Sequence, residues 1–114
     1  MIEINDQETE CPSDVFLQVI KGKCKTTLIV LIKKVRNRFN EMKKTLPTIS
    51  ERMLAKQLEE LQVDGIISKE VFAEVPLRVE YQLTEYGETI YPIIKSLRKW
   101  GHMHLERQKM MVEE

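Results

Sequence analysis

Four side chains in this sequence are of the type that carries covalent or metal chemistry: Cys11, Cys24, His102 and His104. Two cysteines cannot complete a zinc site by themselves, and a separation of 13 residues matches no metal-binding spacing. The two histidines stand two apart, which on a helix puts them on different faces. No metal and no other cofactor is therefore expected. A thiol enzyme built on Cys11 would need a base, and the histidines lie 91 and 93 positions away with no triad partner in sight. The chemistry left to Cys11 is that of a redox or electrophile sensor. It immediately precedes Pro12 at an expected helix start, which favours the thiolate, while Glu8, Glu10 and Asp14 around it oppose that charge. The plainer alternative is an inert residue at a helix end. Cys24 falls within an apolar segment and is expected to be buried and structural.

Recognition by charge is better supported than catalysis. The chain has 18 Lys and Arg against 18 Asp and Glu, but they are sorted along its length. Residues 1–20 hold five acids and no Lys or Arg, and residues 21–56 hold eleven bases against Glu41 and Glu51. Residues 57–94 then hold eight acids with Lys69 and Arg78, and residues 95–114 five bases with three acids. A zero net charge does not exclude a polyanionic partner when one block is this basic.

These residues must be positioned by a single domain, because 114 residues bury one core with little left for an enclosed cavity. A composition of 42% hydrophobic and 32% charged residues is that of a soluble globular chain. The longest apolar run, Leu28 to Ile32, is five residues, against roughly 18 or more for a membrane span. The first residues lack the basic and apolar regions of a signal peptide, so a cytoplasmic location without a membrane partner is expected. Residues 1–10 read as a flexible acidic arm, 11–101 as the folded domain and 102–114 as a C-terminal helix extension or tail.

Periodicity predicts the elements. Pro12 suits the first position of a helix that runs to about Ile20, with Val15, Phe16, Val19 and Ile20 as its apolar stripe, and Gly22 breaks it. Lys25 to Val35 is β-branched but long enough to favour helix. A short helix from Phe39 or Asn40 to Leu46 stops at Pro47. Ser50 caps the next helix, which runs to about Val63 with Leu54, Leu58 and Leu61 inward and Gly65 just past its end. The period then changes to two, with Ile67, Lys69, Val71 and Val79, Tyr81, Leu83 as strands on either side of an exposed turn at Pro76. Thr84 caps a last helix whose apolar positions are Ile90, Ile93, Ile94, Leu97 and Trp100, and Gly101 is placed to bend or end it.

That order predicts a mainly α fold with a small β-hairpin, the winged helix-turn-helix, in which the second helix enters the DNA major groove and the hairpin reaches the backbone. With the leucines inward, Arg52 and Lys56 face outward, flanked by Met53 and Gln57. Arg and Gln suit base edges, and Lys suits phosphate. Arg38, Asn40 and Ser50 at the preceding turn and Arg78 at the hairpin tip complete the expected DNA-facing set. Arg52 and Lys56 alone would also fit an ordinary solvated face, as Glu51, Glu59 and Glu60 nearby would. The coincidence of basic block, tight turn and hairpin favours double-stranded DNA. A winged-helix module for protein contacts, without DNA affinity, is the alternative.

The chain also resembles the HxlR family of bacterial winged-helix regulators. The matching stretches are Cys11-Pro12, Ile20-Lys21-Gly22-Lys23, Arg38-Phe39-Asn40-Glu41, Leu46 through Leu54, Asp64-Gly65-Ile66-Ile67, Glu74 through Gly87, and Trp100-Gly101, spanning about residues 10–101. The resemblance implies a homodimer that binds a repeat operator and regulates transcription. It also implies that Cys11 occupies a sensing position and leaves room for a small-molecule or electrophile inducer. Apolar residues beyond the needs of one small core put the dimer interface on the N- and C-terminal helices, at Val15, Phe16, Ile94, Leu97 and Trp100. One departure stands out: where the family has a tryptophan after the first helix, this chain has Cys24.

Overall fold

Leu54, Leu58 and Leu61 recur at helical spacing and all three are fully buried, and the fold is arranged around them. The structure is a computed structural model that describes residues 11–22, 24–34 and 37–112; the expected acidic arm with Glu8 and Glu10, and Val35 at the expected end of the second helix, lie outside these. Its order is α1 (Pro12–Ile20), α2 (Lys25–Lys33), α3 (Phe39–Thr45), α4 (Glu51–Val63), β1 (Ile67–Phe72), β2 (Arg78–Leu83) and α5 (Glu85–Val112). This is the winged helix-turn-helix the sequence predicts, mainly α with one antiparallel hairpin.

Local chemistry explains the boundaries of α4. Ser50 is extended, and its Oγ accepts the backbone N–H of Met53 at 3.1 Å, filling one of the unpaired donors at the helix start. At the other end Gly65 adopts φ +76°, with Gly65 N–H donating to the Gln62 carbonyl and Ile66 N–H to the Leu61 carbonyl, both at 2.9 Å. That pair of bonds is a Schellman close, which needs a left-handed residue where Gly65 stands.

The core joins Leu28, Ile29 and Ile32 of α2 and Met42 of α3 to the α4 leucines, with Ile66, Ile67, Tyr81, Ile90 and Ile94 closing it. Helix α1 buries no residue completely; Phe16, Val19 and Ile20 rest half-buried against the core. In the hairpin Ile67 pairs with Leu83, Lys69 with Tyr81 and Phe72 with Arg78. Residues 37–38 add a short rung beside β2, with an Arg38–Glu80 bridge and Tyr81 N–H donating to the Asn37 carbonyl at 2.9 Å. The entrance to α3 is thereby fixed to the wing.

Thr84 caps α5 as expected, accepting Gly87 N–H at 2.8 Å and donating to the carbonyls of Gly65 at 2.5 Å and Ile66 at 3.2 Å. A Cβ on Gly87 would lie 2.0 Å from the Ile66 carbonyl oxygen, so only glycine lets α5 approach the α4–β1 turn this closely. The helix continues through Pro92 and Gly101, so Gly101 does not end it and residues 102–112 extend α5. Cys24 departs from its expected place: it is half-buried at the N-cap of α2 with φ +71°, outside the apolar run. Lys25 is 3% exposed and bonded to Glu60 of α4, which ties α2 to the side of α4.

Candidate nucleic-acid interface

Helix α4 offers its outer face to solvent because the leucine stripe anchors the opposite one. At about 100° per residue, Arg52 and Lys56 fall opposite Leu54, Leu58 and Leu61. Both are exposed, and Met53 beside them is half-buried. Ala55, Glu59 and Val63 complete the exposed face, and Val63 is 80% exposed. Asn40 and Ser50 are also exposed, at the start of α3 and at the turn. The Ser50 hydroxyl is engaged in capping and serves first to fix the start of α4.

Gln57 does not belong to this face. It is 4% exposed, its Nε2 donates to Met53 Sδ at 3.4 Å, and its amide packs against Gly22. The same helical arithmetic accounts for the burial, since Gln57 lies only about 70° from the centre of the leucine stripe. A buried amide wedged between α4 and the α1–α2 turn cannot reach a base edge. Its Oε1 has no hydrogen-bond partner among the described residues.

Arg78 also differs from expectation. It opens β2 opposite Phe72, while the hairpin tip is formed by residues 73–77, with Val75 and Leu77 fully or largely exposed. Its guanidinium is held on three sides. Nε and Nη2 donate to the two carboxylate oxygens of Glu74 at 3.1 and 3.0 Å, and Nη1 donates to Glu80 at 2.8 Å. The ring of Phe72 lies beneath it, 3.7 Å from centroid to guanidinium carbon. Glu74 above all, with Glu80 and against partial desolvation, holds the guanidinium above its usual range. Glu80 also takes Nη2 of Arg38 at 3.4 Å, so one carboxylate joins the α3 entrance to the wing.

Between these elements lies an open cleft of about 760 Å³, bordered by Arg38, Asn40, Glu41 and Lys44 on one side and by residues 74–79 on the other. Lys44 at the cleft and Glu80 between Arg38 and Arg78 add to the expected set. Lys44 sits in the basic block and was legible there, whereas the role of Glu80 depends on a long-range pairing that periodicity does not reveal.

The expected interface residues divide into two groups. Val15, Leu97 and Trp100 are 44%, 43% and 63% exposed. Ile94 is fully buried, and Phe16 is half-buried against the core. Ile94 follows Ile90 by one turn and faces inward, so it stabilises the single chain and is unavailable to a partner. Ile93, Leu97 and Trp100 form the outer stripe, and the Trp100 indole stacks on His104 with centroids 5.0 Å apart. An apolar groove of about 370 Å³ separates α1 from α5, with Pro12, Val15 and Phe16 facing Tyr86, Ile90 and Ile93. Cys11 is exposed at the N-cap of α1 and its side chain makes no capping bond. No helix among the described residues is long and apolar enough to cross a membrane.

The profile of the HxlR-like helix-turn-helix family matches residues 19–109. The chain is 42% identical over 103 residues to the uncharacterised HTH-type transcriptional regulator YdeP of Bacillus subtilis (strain 168), covering 90% of this chain and 80% of that protein. Its structure is similar to that of the redox regulator HypR in its reduced form, with a TM-score of 0.82 and 40% identity over 88% of this chain and 99% of that one. The HTH-type regulator ytcD is also similar, with a TM-score of 0.78 and 36% identity over 85% of this chain and 99% of that one. With the capped α4, the α3 turn and the hairpin already in place, these matches make the chain a member of the HxlR-like helix-turn-helix family.

Proposed function

We propose that this protein is a cytoplasmic, DNA-binding transcriptional regulator that works as a homodimer. The observation that carries this reading is the outward pair Arg52 and Lys56, exposed directly opposite the buried leucines of α4. A helix held this way enters a major groove with Arg52 toward base edges and Lys56 toward phosphate. Met53 lies beside them as an apolar contact. Asn40 and Arg38 at the α3 entrance, the turn at Ser50, and Arg78 on the wing meet the flanking backbone. The family relationship and the regulator names of its relatives support the same function.

Dimerisation rests on the outer stripe of α5, Ile93, Leu97 and Trp100, together with Val15 on α1. These side chains are too exposed to serve the core and too apolar to be ordinary surface. Two half-sites also supply the specificity that one small domain lacks. Cys11 is exposed at the start of α1, next to Pro12 of the α1–α5 groove, and the chain's similarity to a redox regulator supports a sensing role. Modification there by an oxidant or electrophile acts on the partner-facing helix and changes the spacing of the recognition helices. Gel-shift and sedimentation measurements with DNA upstream of the coding sequence test the reading: a dimer that binds DNA supports it, and a monomer without DNA affinity refutes it.

A further inference from the structure

The wing carries a contact that DNA binding has to undo. Arg78 is the wing residue assigned above to the DNA backbone, yet in the free chain both edges of its guanidinium are occupied by carboxylates and one face rests on Phe72. The two carboxylates are not equivalent. Glu80 is on a strand, 20% exposed and shared with Arg38. Glu74 is on the connecting loop, 53% exposed, and takes the Nε–Nη2 fork of Arg78 with both oxygens at once. A backbone phosphate presents two free oxygens to a guanidinium much as a carboxylate does, so one can replace the other on that fork. The cleft of about 760 Å³ beside Glu74, bordered by Arg38, Asn40 and Lys44, is open to an arriving phosphate.

We propose that Glu74 is a built-in competitor for DNA phosphate, occupying the Arg78 fork in the free chain and leaving it when a backbone phosphate arrives. The inference rests on the DNA-binding reading above. On arbitrary DNA, binding is weak and electrostatic, and Glu74 keeps Arg78 out of it. On a matching site, α4 seated in the groove holds a phosphate beside the wing at high effective concentration, and the exchange proceeds. Glu74 thus lowers the affinity for DNA by up to the strength of its pair with Arg78, without touching a base.

The test is titration of a labelled duplex of arbitrary sequence at several salt concentrations. Glu74→Gln and Glu74→Ala are compared with wild type, with Glu70→Gln as a control that removes the same charge from β1 of the wing. Both Glu74 variants are expected to bind about two- to fivefold tighter than wild type, the range of an exposed ion pair. The salt dependence is expected to steepen by up to about one counterion. In an Arg78→Gln background the gain should shrink to that of Glu70→Gln. A gain no larger than the control's, or one that persists without Arg78, overturns the proposal and leaves DNA binding intact. Wild type that binds no duplex at low salt overturns both.

Discussion

Lys25 and Glu60 form the one ion pair of α2 with α4 among the described residues, the lysine ammonium 2.7 Å from the carboxylate and the lysine side chain 3% exposed. The Lys25 hydrogen bond holds the Glu60 carboxyl below the ordinary carboxylate range, against a desolvation that pushes the other way. Because the folded-state value is depressed, the stabilisation is complete above the unfolded value, ~4.3, and disappears as pH falls through the lower folded value. Glu60→Gln strands a buried ammonium and should lower the melting temperature at neutral pH. Lys25→Met removes the charge with its burial and should cost far less. Melts at pH 7 and near pH 3 check this: the deficit of Glu60→Gln should narrow in acid, and a deficit independent of pH contradicts the pairing.

Arg52 is assigned to a base edge, so Arg52→Ala should cost ~1–3 kcal/mol on the specific site and relax base preference there. Lys56→Ala should weaken all sequences about equally. Competition titrations with specific and arbitrary duplexes separate the two; an unchanged affinity ratio in Arg52→Ala removes it as a reader.

How far such assignments are legible depends on the distance over which the cause acts. The Ser50 cap, the Gly65 close and the Thr84 cap are local, and residue type at a fixed offset announces them. Arg52 and Lys56 follow from the leucine period alone. Gln57 is legible too, from its angle to the same stripe, although its amide type suits the DNA side. Ile94 shows the limit differently: α5 has two apolar stripes, and nothing in their spacing says which one the core takes. The Glu74–Arg78–Glu80–Arg38 chain and the burial of Lys25 depend on strand register and helix packing, and neither is written in local periodicity.

The two stripes of α5 should separate by mutation. Ile94→Ala should cost ~2–5 kcal/mol of folding stability, as a fully buried branched side chain does. Trp100→Ala should leave stability of the single chain nearly unchanged while shifting sedimentation toward monomer and weakening operator binding through lost avidity. Denaturant melts and sedimentation velocity check the pair. A wild type that is already monomeric at micromolar concentration contradicts the interface.

Cys11 has a separate test. Diamide or a quinone should reduce operator binding by the wild type and leave Cys11→Ser unaffected. Half-buried Cys24 is the internal control, since its modification would affect both proteins alike. Equal responses, or none, make Cys11 a plain helix-start residue.

DNA binding through α4 is tested most directly by titrating the protein against DNA upstream of its own coding sequence at two salt concentrations. The expected site is a repeat with half-sites about one helical turn, roughly 10 bp, apart on one face of the duplex. With several phosphates neutralised, affinity should drop by roughly a thousandfold between about 50 and 200 mM salt. Replacing Arg52 and Lys56 together should abolish the preference for the upstream fragment over arbitrary DNA. A complex indifferent to salt, or none with any upstream fragment, would contradict the assignment of α4 as a DNA-reading helix.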